Sequence, residues 1–307
     1  MHSETQQLLG TLQILCSNWF VWETTNQGEF NIWNLMISEG FVNLTDIELT
    51  FKHWQKIEEW GTPTNQEALD YEYAPLRSER KDKTWNESIA SERQGYYQKI
   101  QQLLTNNFNN LQAYNLSIPK AKYQDFAWEH PDFSVSIVVA ETSNNHWLCL
   151  APIVPDQVSD DVYAPHQPTT QIVCEESINA VNESLIAEFK SCLDDLTPIT
   201  IYGYHYGGYN CTYQHHLVGA YAKTKTTAIE LALQAATMVI ILEKPNVHYA
   251  GDAYDSLKLS EFMNQCLRHR TLYNISFWDV RYTYQGGQTP GGDWIGVHSR
   301  SEFEYNP

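Results

Sequence analysis

Hydrophobic residues recur every three or four positions in several stretches of the chain, a spacing that predicts amphipathic helices. In the first stretch, Leu8, Leu12 and Leu15 share one helical face. The predicted helices are Gln6–Cys16, Thr50–Trp60, Tyr96–Leu111, Ile178–Leu193, the start of Thr226–Leu242, and Leu257–Leu267. Short apolar or alternating runs predict strands at Trp19–Trp22, Tyr114–Ile118, Phe133–Glu141, Trp147–Val154, Ile199–Tyr204, Phe277–Tyr284 and Trp294–Ser299. This mixed order predicts an α+β fold in which mainly antiparallel sheets carry packed helices.

An internal repeat shapes the rest of the prediction. The segment Tyr114–Ser117 matches Tyr273–Ser276, and each follows a predicted amphipathic helix. Further on, the segment Glu141–Leu148 matches Gln288–Ile295, with an identical Thr and an identical Trp at a constant offset of 147 residues. We therefore expect a helix, strand, turn and strand unit that is used twice, in two related α+β modules, each a sheet with helices packed on it.

The predicted boundary between the modules is a polar run that contains several prolines, such as Pro155, Pro165 and Pro168. It places one module at residues 1–155, a linker at 156–175 and a second, more divergent module at 176–307. Residues 66–95 are polar and charged and predict a loop or a weakly amphipathic segment.

The charge balance narrows the classes of partner. The 307 residues carry 37 acids and 19 bases, a formal net charge of −18, and residues 1–160 and 161–307 are acidic separately, at −11 and −7. Such a surface repels phosphate, which argues against direct binding to nucleic acid or to an anionic membrane. It suits a basic protein partner, or it simply keeps the protein soluble.

Targeting and cofactor signals are weak. The first residues lack a basic region followed by a long apolar run, and no apolar stretch approaches the ~20 residues of a membrane span. The six cysteines lack the CxxC spacing, so we expect buried free thiols, a cytoplasmic location and no cofactor.

Candidate catalytic groups are sparse. His205, Cys211, His215 and His216 form the densest group of possible metal ligands, but adjacent strand residues point to opposite faces, so we expect no metal site. No GxSxG or Gly-rich nucleotide motif occurs. Adjacent carboxylates such as Glu58 and Glu59 are better explained as surface charges than as an acid–base pair.

Several segments together resemble the nuclease A inhibitor family, whose members inhibit sugar-non-specific nucleases. In the first half these are Ser17–Phe20, Phe30–Trp33, Tyr97–Leu103, Gln112–Leu116 and Val138–Thr142. In the second half, Leu272–Ile275 and Gln288–Val297 are similar to the C-terminal hairpin of the family and its turn. The resemblance implies an α/β/α sandwich for each module.

The resemblance also implies where a partner binds. Family members place a Glu in an early loop, which corresponds to Glu23, and an acid–Trp pair before the central helix, which corresponds to Thr84 and Trp85. They also have a C-terminal Thr near the metal of the nuclease, whereas this chain ends in a tail that contains Glu302 and Glu304.

The expected function is that of an acidic protein, not an enzyme, which blocks a basic, metal-dependent nuclease by imitating the charge of its substrate. Such a protein would serve as an immunity or anti-defence factor. Two alternatives stay open: an enzyme whose site uses His205, His215 or His216 within residues 199–256, and a docking subunit of a larger complex.

Overall fold

The computed structural model describes residues 1–61, 86–119, 134–154, 172–175, 183–202, 212–244, 256–277 and 280–302 of the chain. Eight helices lie in these ranges: α1 (Ser3–Leu15), α2 (Thr24–Gln27), α3 (Ile32–Ser38), α4 (Ile47–Gly61), α5 (Glu87–Asn107), α6 (Glu183–Asp195), α7 (Lys225–Ala235) and α8 (Ser256–Cys266). Thirteen strands accompany them: β1 (Trp19–Trp22), β2 (Val42–Thr45), β3 (Phe108–Ser117), β4 (Ser134–Thr142), β5 (Trp147–Pro152), β6 (Ile172–Cys174), β7 (Ile199–Tyr202), β8 (Thr212–His215), β9 (Leu217–Ala222), β10 (Val239–Glu243), β11 (Arg268–Phe277), β12 (Val280–Gln288) and β13 (Trp294–Glu302). These elements confirm the predicted α+β class.

Two large sheets organise the fold. The five-stranded sheet has the order β1-β13-β12-β11-β10 and is antiparallel throughout. The six-stranded sheet has the order β2-β3-β4-β5-β9-β6 and is antiparallel except where β6 runs parallel to β9. The strands β7 and β8 form a small separate hairpin.

Three apolar clusters stack the elements into five layers. Helices α3 and α7 lie between the two sheets and share the largest cluster with their inner faces. Helices α4, α5 and α6 cover the outer face of the six-stranded sheet. Helices α1 and α8 cover the outer face of the five-stranded sheet. Since a fully buried Leu, Ile or Phe side chain contributes roughly 1.5–3 kcal/mol, these clusters hold the layers together.

The two repeated hairpins have the same turn geometry, in the turns 142–146 and 289–293. In both, the backbone N–H of the threonine donates to the carbonyl of the fifth residue at 2.7 Å. The N–H of the fourth residue donates back to the threonine carbonyl at 3.0 Å. This fourth residue is Asn145 or Gly292, with φ of 59° and 92°, and both residue types tolerate that conformation.

The hairpins also share a bulge. The pairing of β3 with β4 shifts register between Asn109 and Gln112, and that of β11 with β12 shifts between Arg268 and Thr271. The bulges contain Asn110 and His269, whose φ values are 45° and 47°. Matching turns, bulges and registers show that the sequence repeat is a repeat of local structure.

The inner helices end in the same way. The N–H of Phe41 donates to the carbonyl of Met36 at 2.9 Å, and the N–H of Met238 donates to that of Leu233 at 3.0 Å. In each case the preceding residue has a positive φ, which completes a Schellman motif. For the run 226–242, this motif places the change from helix to strand at residues 236–238.

Each large sheet includes strands from both halves of the chain. Strand β1 pairs with β13, with Trp22 opposite Trp294, and β9 pairs with β5, with Ala222 opposite Trp147. The helix that precedes each of these two strands lies on the same sheet as its strand. Helix α1, before β1, packs with α8, and α6, before β9, packs with α5. Each half therefore contributes a helix and a strand to the sheet that consists mainly of strands from the other half. The division into modules 1–155 and 176–307 stays a prediction. Residues 172–174 of the predicted linker form β6.

Some boundaries differ from the sequence predictions. Helix α5 begins at Glu87, inside the segment predicted as a loop or weak helix, because the Asn86 side chain accepts from the N–H of Ile89 at 3.0 Å and caps it. Leu111 belongs to β3 instead of the preceding helix. The predictions missed helix α3 and also missed β11 before Phe277.

Candidate functional site

Glu23 follows β1 and lies on a well-anchored loop. One carboxylate oxygen, Oε2, accepts from the amine of Met1 at 3.0 Å and from Nδ2 of Asn26 at 2.6 Å. The backbone N–H of Glu23 donates to Oε1 of Gln27 at 2.8 Å. The side chain remains 29% exposed, so it can still contact a partner.

The turn 289–293 anchors this loop. The carboxylate of Asp293 accepts from the backbone N–H groups of His2 and Thr24, each at 3.1 Å. Burial opposes ionisation of Asp293, but these bonds and the Thr5 hydroxyl lower its pKa below the ordinary value. The Thr24 hydroxyl donates to the carbonyl of Gly292 at 2.9 Å. The repeated turn thus fixes the position of Glu23, a role that the sequence analysis did not assign to Asp293.

Within the part of the chain that the structure describes, no other predicted partner-binding residue lies next to Glu23. Thr84, Trp85 and Glu304 lie outside the described residues. Glu302 pairs through its backbone with Val280, at the end of β13 remote from the turn. Glu302 lies eight residue steps along the extended strand from Trp294, about 27 Å at ~3.4 Å per residue. Glu23 and Glu302 therefore do not form one contact point.

The histidines of the enzyme alternative are buried where the structure describes them. His215 and His216 are each 1% exposed, so neither presents an imidazole to a substrate in this conformation. Burial, and then the charges of His216, Arg93 and His53, lower the pKa of His215 to about 3. His205 and Cys211 lie outside the described residues.

His53 belongs to a neighbouring polar chain beneath α4. Its Nδ1 lies 2.8 Å from Oγ of Ser136, whose hydroxyl donates to Oδ1 of Asn115 at 3.2 Å. Oγ of Ser134 lies 3.4 Å from Nε2. The Trp54 indole donates to the Ser136 carbonyl at 2.7 Å. These bonds satisfy polar groups at the packed outer face of the sheet.

A buried ion pair lies in the same layer. Nε and Nη2 of Arg93 each donate to Glu58 at 2.5 Å, and the Tyr97 hydroxyl donates to Glu58 at 2.7 Å. Nη1 of Arg93 donates to the carbonyl of Thr197 at 2.9 Å, which links the two halves. Burial opposes the charge on Arg93, but the bonds to Glu58 raise its pKa above the ordinary value. The prediction that Glu58 is a surface charge is wrong, because its side chain is 0% exposed. Its charge is buried because it pairs with an arginine 35 residues further along the chain, which the local sequence does not indicate.

An aromatic group lies behind the Glu23 loop. The Phe30 ring stacks on Trp294 at 4.5 Å and meets Tyr273 and Trp22 edge-on at 5.8 Å and 5.6 Å. Burial, with the nearby charge of Glu230, raises the pKa of Tyr273 to about 12. Phe30 therefore holds the loop on the inner face of the five-stranded sheet.

A cationic group occupies the equivalent place on the six-stranded sheet. Nζ of Lys225 donates to Oε1 of Gln112 and to the hydroxyl of Tyr114. It lies 4.8 Å from the ring centre of Tyr114 and 5.9 Å from that of Trp147, within cation–π range. The sequence analysis missed this group; the available signal was a basic residue directly after the N-cap Thr224.

The described ranges hold neither a cluster of metal ligands nor a helix that could span a membrane. No group of three or more His, Cys, Asp or Glu side chains there could hold a metal ion. No helix in that part of the chain has the length and apolar character needed to cross a membrane. The thiols of Cys16, Cys149 and Cys192 are buried and free, whereas Cys174 is exposed.

Comparisons with models of protein families, with curated proteins and with solved structures find no match to this chain. The resemblance to the nuclease A inhibitor family therefore rests on the quoted sequence segments, and membership of that family stays a prediction.

Proposed function

We propose that the chain is an acidic protein inhibitor that binds a basic nuclease, most simply a metal-dependent sugar-non-specific one, and blocks its active site by charge mimicry. The observation that carries the proposal is the net charge of −18, which is acidic in both halves of the chain. A nuclease must offer a basic cleft to phosphate, and a carboxylate-rich surface competes for the same cleft.

The geometry around Glu23 supports this proposal. Asp293 and Phe30 hold the loop at two points, so the Glu23 carboxylate is presented on an ordered element. Preorganisation of this kind lowers the entropy cost of binding. Since the carboxylate already accepts two hydrogen bonds, a partner must add contacts to its exposed edge.

The direct test is equilibrium binding by titration calorimetry to purified sugar-non-specific nucleases at ~50 mM salt, where charge attraction is strong. We expect a complex that weakens as salt rises. Glu23→Gln and Trp85→Ala should each cost ~1 kcal/mol or more if the residues are central contacts.

Glu48→Gln is the matched control, because it also removes one carboxylate but lies on α4 over the other sheet with a 66% exposed side chain. Its affinity should equal that of the parent chain. Absence of any complex at ~50 mM salt would contradict the proposal. Equal losses of binding affinity for Glu23→Gln and Glu48→Gln would show that the complex depends only on non-specific charge attraction and would contradict a specific role for Glu23.

A further inference from the structure

The two large sheets differ at one edge. Strand β9 of the six-stranded sheet lies between β5 and β6, whereas β1 pairs with β13 alone among the described residues. The two strands take equivalent places, because Ala222 of β9 and Trp22 of β1 each lie opposite the tryptophan of a repeated hairpin. Gly219 therefore corresponds to Trp19, three positions earlier in each strand. Strand β6 has no counterpart beside β1 in the part of the chain that the structure describes.

Strand β6 shows how a further strand binds at such a place. It runs parallel to β9, with Ile172 opposite Gly219 and Cys174 opposite Tyr221. The N–H of Glu175 donates to the carbonyl of Tyr221 at 3.0 Å. Because the residues of a strand direct their backbone groups alternately to its two neighbours, Gly219 and Tyr221 are the β9 residues whose N–H and C=O face β6.

The same alternation leaves the backbone groups of two β1 residues directed away from β13. The N–H of His298 donates to the carbonyl of Asn18 at 2.9 Å, so the even-numbered residues of the range 18–22 bond to β13. Trp19 and Val21, which correspond to Gly219 and Tyr221, therefore direct their N–H and C=O groups to the edge of the sheet. The Trp19 side chain is 37% exposed, which shows that solvent reaches this edge.

The side-chain contacts of β6 indicate what an added strand would place on β1. Ile172 lies against Gly219, 3.5 Å from the point that a Cβ of this glycine would occupy. Trp19 takes the place of Gly219 on β1 and offers an exposed aromatic surface to an aliphatic side chain. An edge strand with unpaired backbone groups is a template for the addition of an extended segment.

The charge next to this edge is opposite to what the Glu175 of β6 would require. Oε2 of Glu175 accepts from the backbone N–H of Lys223 at 2.9 Å. The equivalent N–H, that of Glu23, already donates to Oε1 of Gln27 at 2.8 Å. The side chain at this place is the Glu23 carboxylate, which is 29% exposed. A Lys or Arg in the position of Glu175 would be attracted there, and an acid would be repelled.

We propose that the edge of β1 binds an extended segment of a basic partner protein, which joins the five-stranded sheet as a parallel strand. The segment places an aliphatic side chain on Trp19 and, three positions further, a Lys or Arg beside Glu23. Proline is excluded where the segment must donate its N–H. This inference goes beyond the proposed function, because it holds for any basic partner with such a segment, whether or not that partner is a nuclease.

The probe is a peptide that copies residues 169–176, with Cys174→Ser against oxidation, Glu175→Lys, and fluorescein at its N-terminus. Fluorescence polarisation with the full chain at ~50 mM salt should give a dissociation constant between about 10 µM and about 1 mM, as is usual for a short flexible ligand. A peptide that keeps Glu175 should bind about threefold or more weakly, because its carboxylate approaches that of Glu23.

Methylation of the peptide backbone tests strand pairing itself. N-methylation of Val173 removes the N–H that would donate to the carbonyl of Trp19, so it should weaken binding about fivefold or more. N-methylation of residue 174 is the matched control, because its N–H points away from β1, and it should change the affinity less than about twofold.

Variants of the chain place the binding. Trp19→Pro removes an N–H on the edge without removing a bond to β13, and it should weaken binding about fivefold or more. Glu23→Lys should reverse the preference between the Lys and Glu peptides, a result that loss of folding cannot produce. Glu48→Lys is its control, because this carboxylate is 66% exposed on α4 and the preference should stay as in the parent chain.

Four results would overturn the inference. The first is no binding of the Lys peptide at ~1 mM, and the second is equal binding of the two methylated peptides. The third is an unchanged preference in the Glu23→Lys chain. The fourth is dimerisation of the chain that Trp19→Pro prevents in sedimentation equilibrium, which would assign the edge to a second copy. None of these results bears on whether a nuclease binds, so the proposed function is tested separately.

Discussion

Loss of the Glu58 carboxylate should destabilise the fold strongly. The Glu58 side chain is 0% exposed and that of Arg93 7% exposed, and they share two 2.5 Å hydrogen bonds. Glu58→Ala leaves a buried guanidinium without its carboxylate partner, which typically costs about 3–5 kcal/mol, and it also removes the acceptor of the Tyr97 hydroxyl. Against a typical total stability of ~5–15 kcal/mol, this loss is large.

Urea unfolding followed by circular dichroism measures the effect. With an m-value of ~3 kcal/mol per M, a loss of ~4 kcal/mol moves the midpoint down by ~1.3 M. The double variant Glu58→Leu with Arg93→Met should recover much of the loss, because it removes both charges and fills the space with apolar atoms.

Glu48→Ala provides the control, because Glu48 pairs with Lys52 four residues later on α4 with both side chains about two-thirds exposed. Its midpoint should not change measurably, since exposed pairs contribute little. A loss below ~1 kcal/mol for Glu58→Ala at an unchanged m-value would refute the buried pair.

Three further outcomes follow from the structure. The pKa of His215 is lowered to about 3 in the folded state, whereas a histidine in the unfolded chain titrates near ~6.5. The neutral buried imidazole therefore contributes stability that is present above pH ~6.5 and is lost as the pH falls towards 3. His215→Gln should therefore reduce the fall in urea midpoint between about pH 6 and pH 4. Gly296→Ala should destabilise by ~1–3 kcal/mol, since its Cβ would lie 2.3 Å from the carbonyl oxygen of Gln285, whereas Gly95→Ala, with nothing within 4 Å, should stabilise α5 in thermal melts. Cleavage at a protease site inserted within residues 155–171 should leave two pieces that co-elute in size-exclusion chromatography, because each large sheet contains strands from both, and separate elution would contradict the exchange.

Local patterns predicted much of the fold. The spacing of Leu8, Leu12 and Leu15 placed α1 within three residues, and the bounds of β1 were predicted without error. The repeated Thr and Trp predicted two hairpins whose turns share hydrogen bonds. Strand β11 was missed because it begins with Arg268 and Arg270, which do not alternate with apolar residues.

Long-range pairing could not be predicted in the same way. Trp22 pairs with Trp294, and nothing within β1 distinguishes this partner from the strands of its own half. Similarly, burial of Glu58 depends on Arg93, and the stacking partner of Trp294 is Phe30, which lies in the connection between β1 and α3. Of the proposed contact residues, Glu23 is the one whose side chain the structure describes, and it is 29% exposed, as a contact residue requires.

The most direct test of the proposed function is competition between this chain and DNA for one nuclease. A metal-free, and therefore non-cleaving, sugar-non-specific nuclease is bound to a fluorescent DNA duplex at ~50 mM salt, and the chain is added while polarisation is recorded. Charge mimicry predicts complete displacement of the DNA, with an apparent dissociation constant for DNA that rises linearly with the concentration of the chain. Unchanged polarisation, or a ternary complex in which both ligands remain bound, would contradict the account.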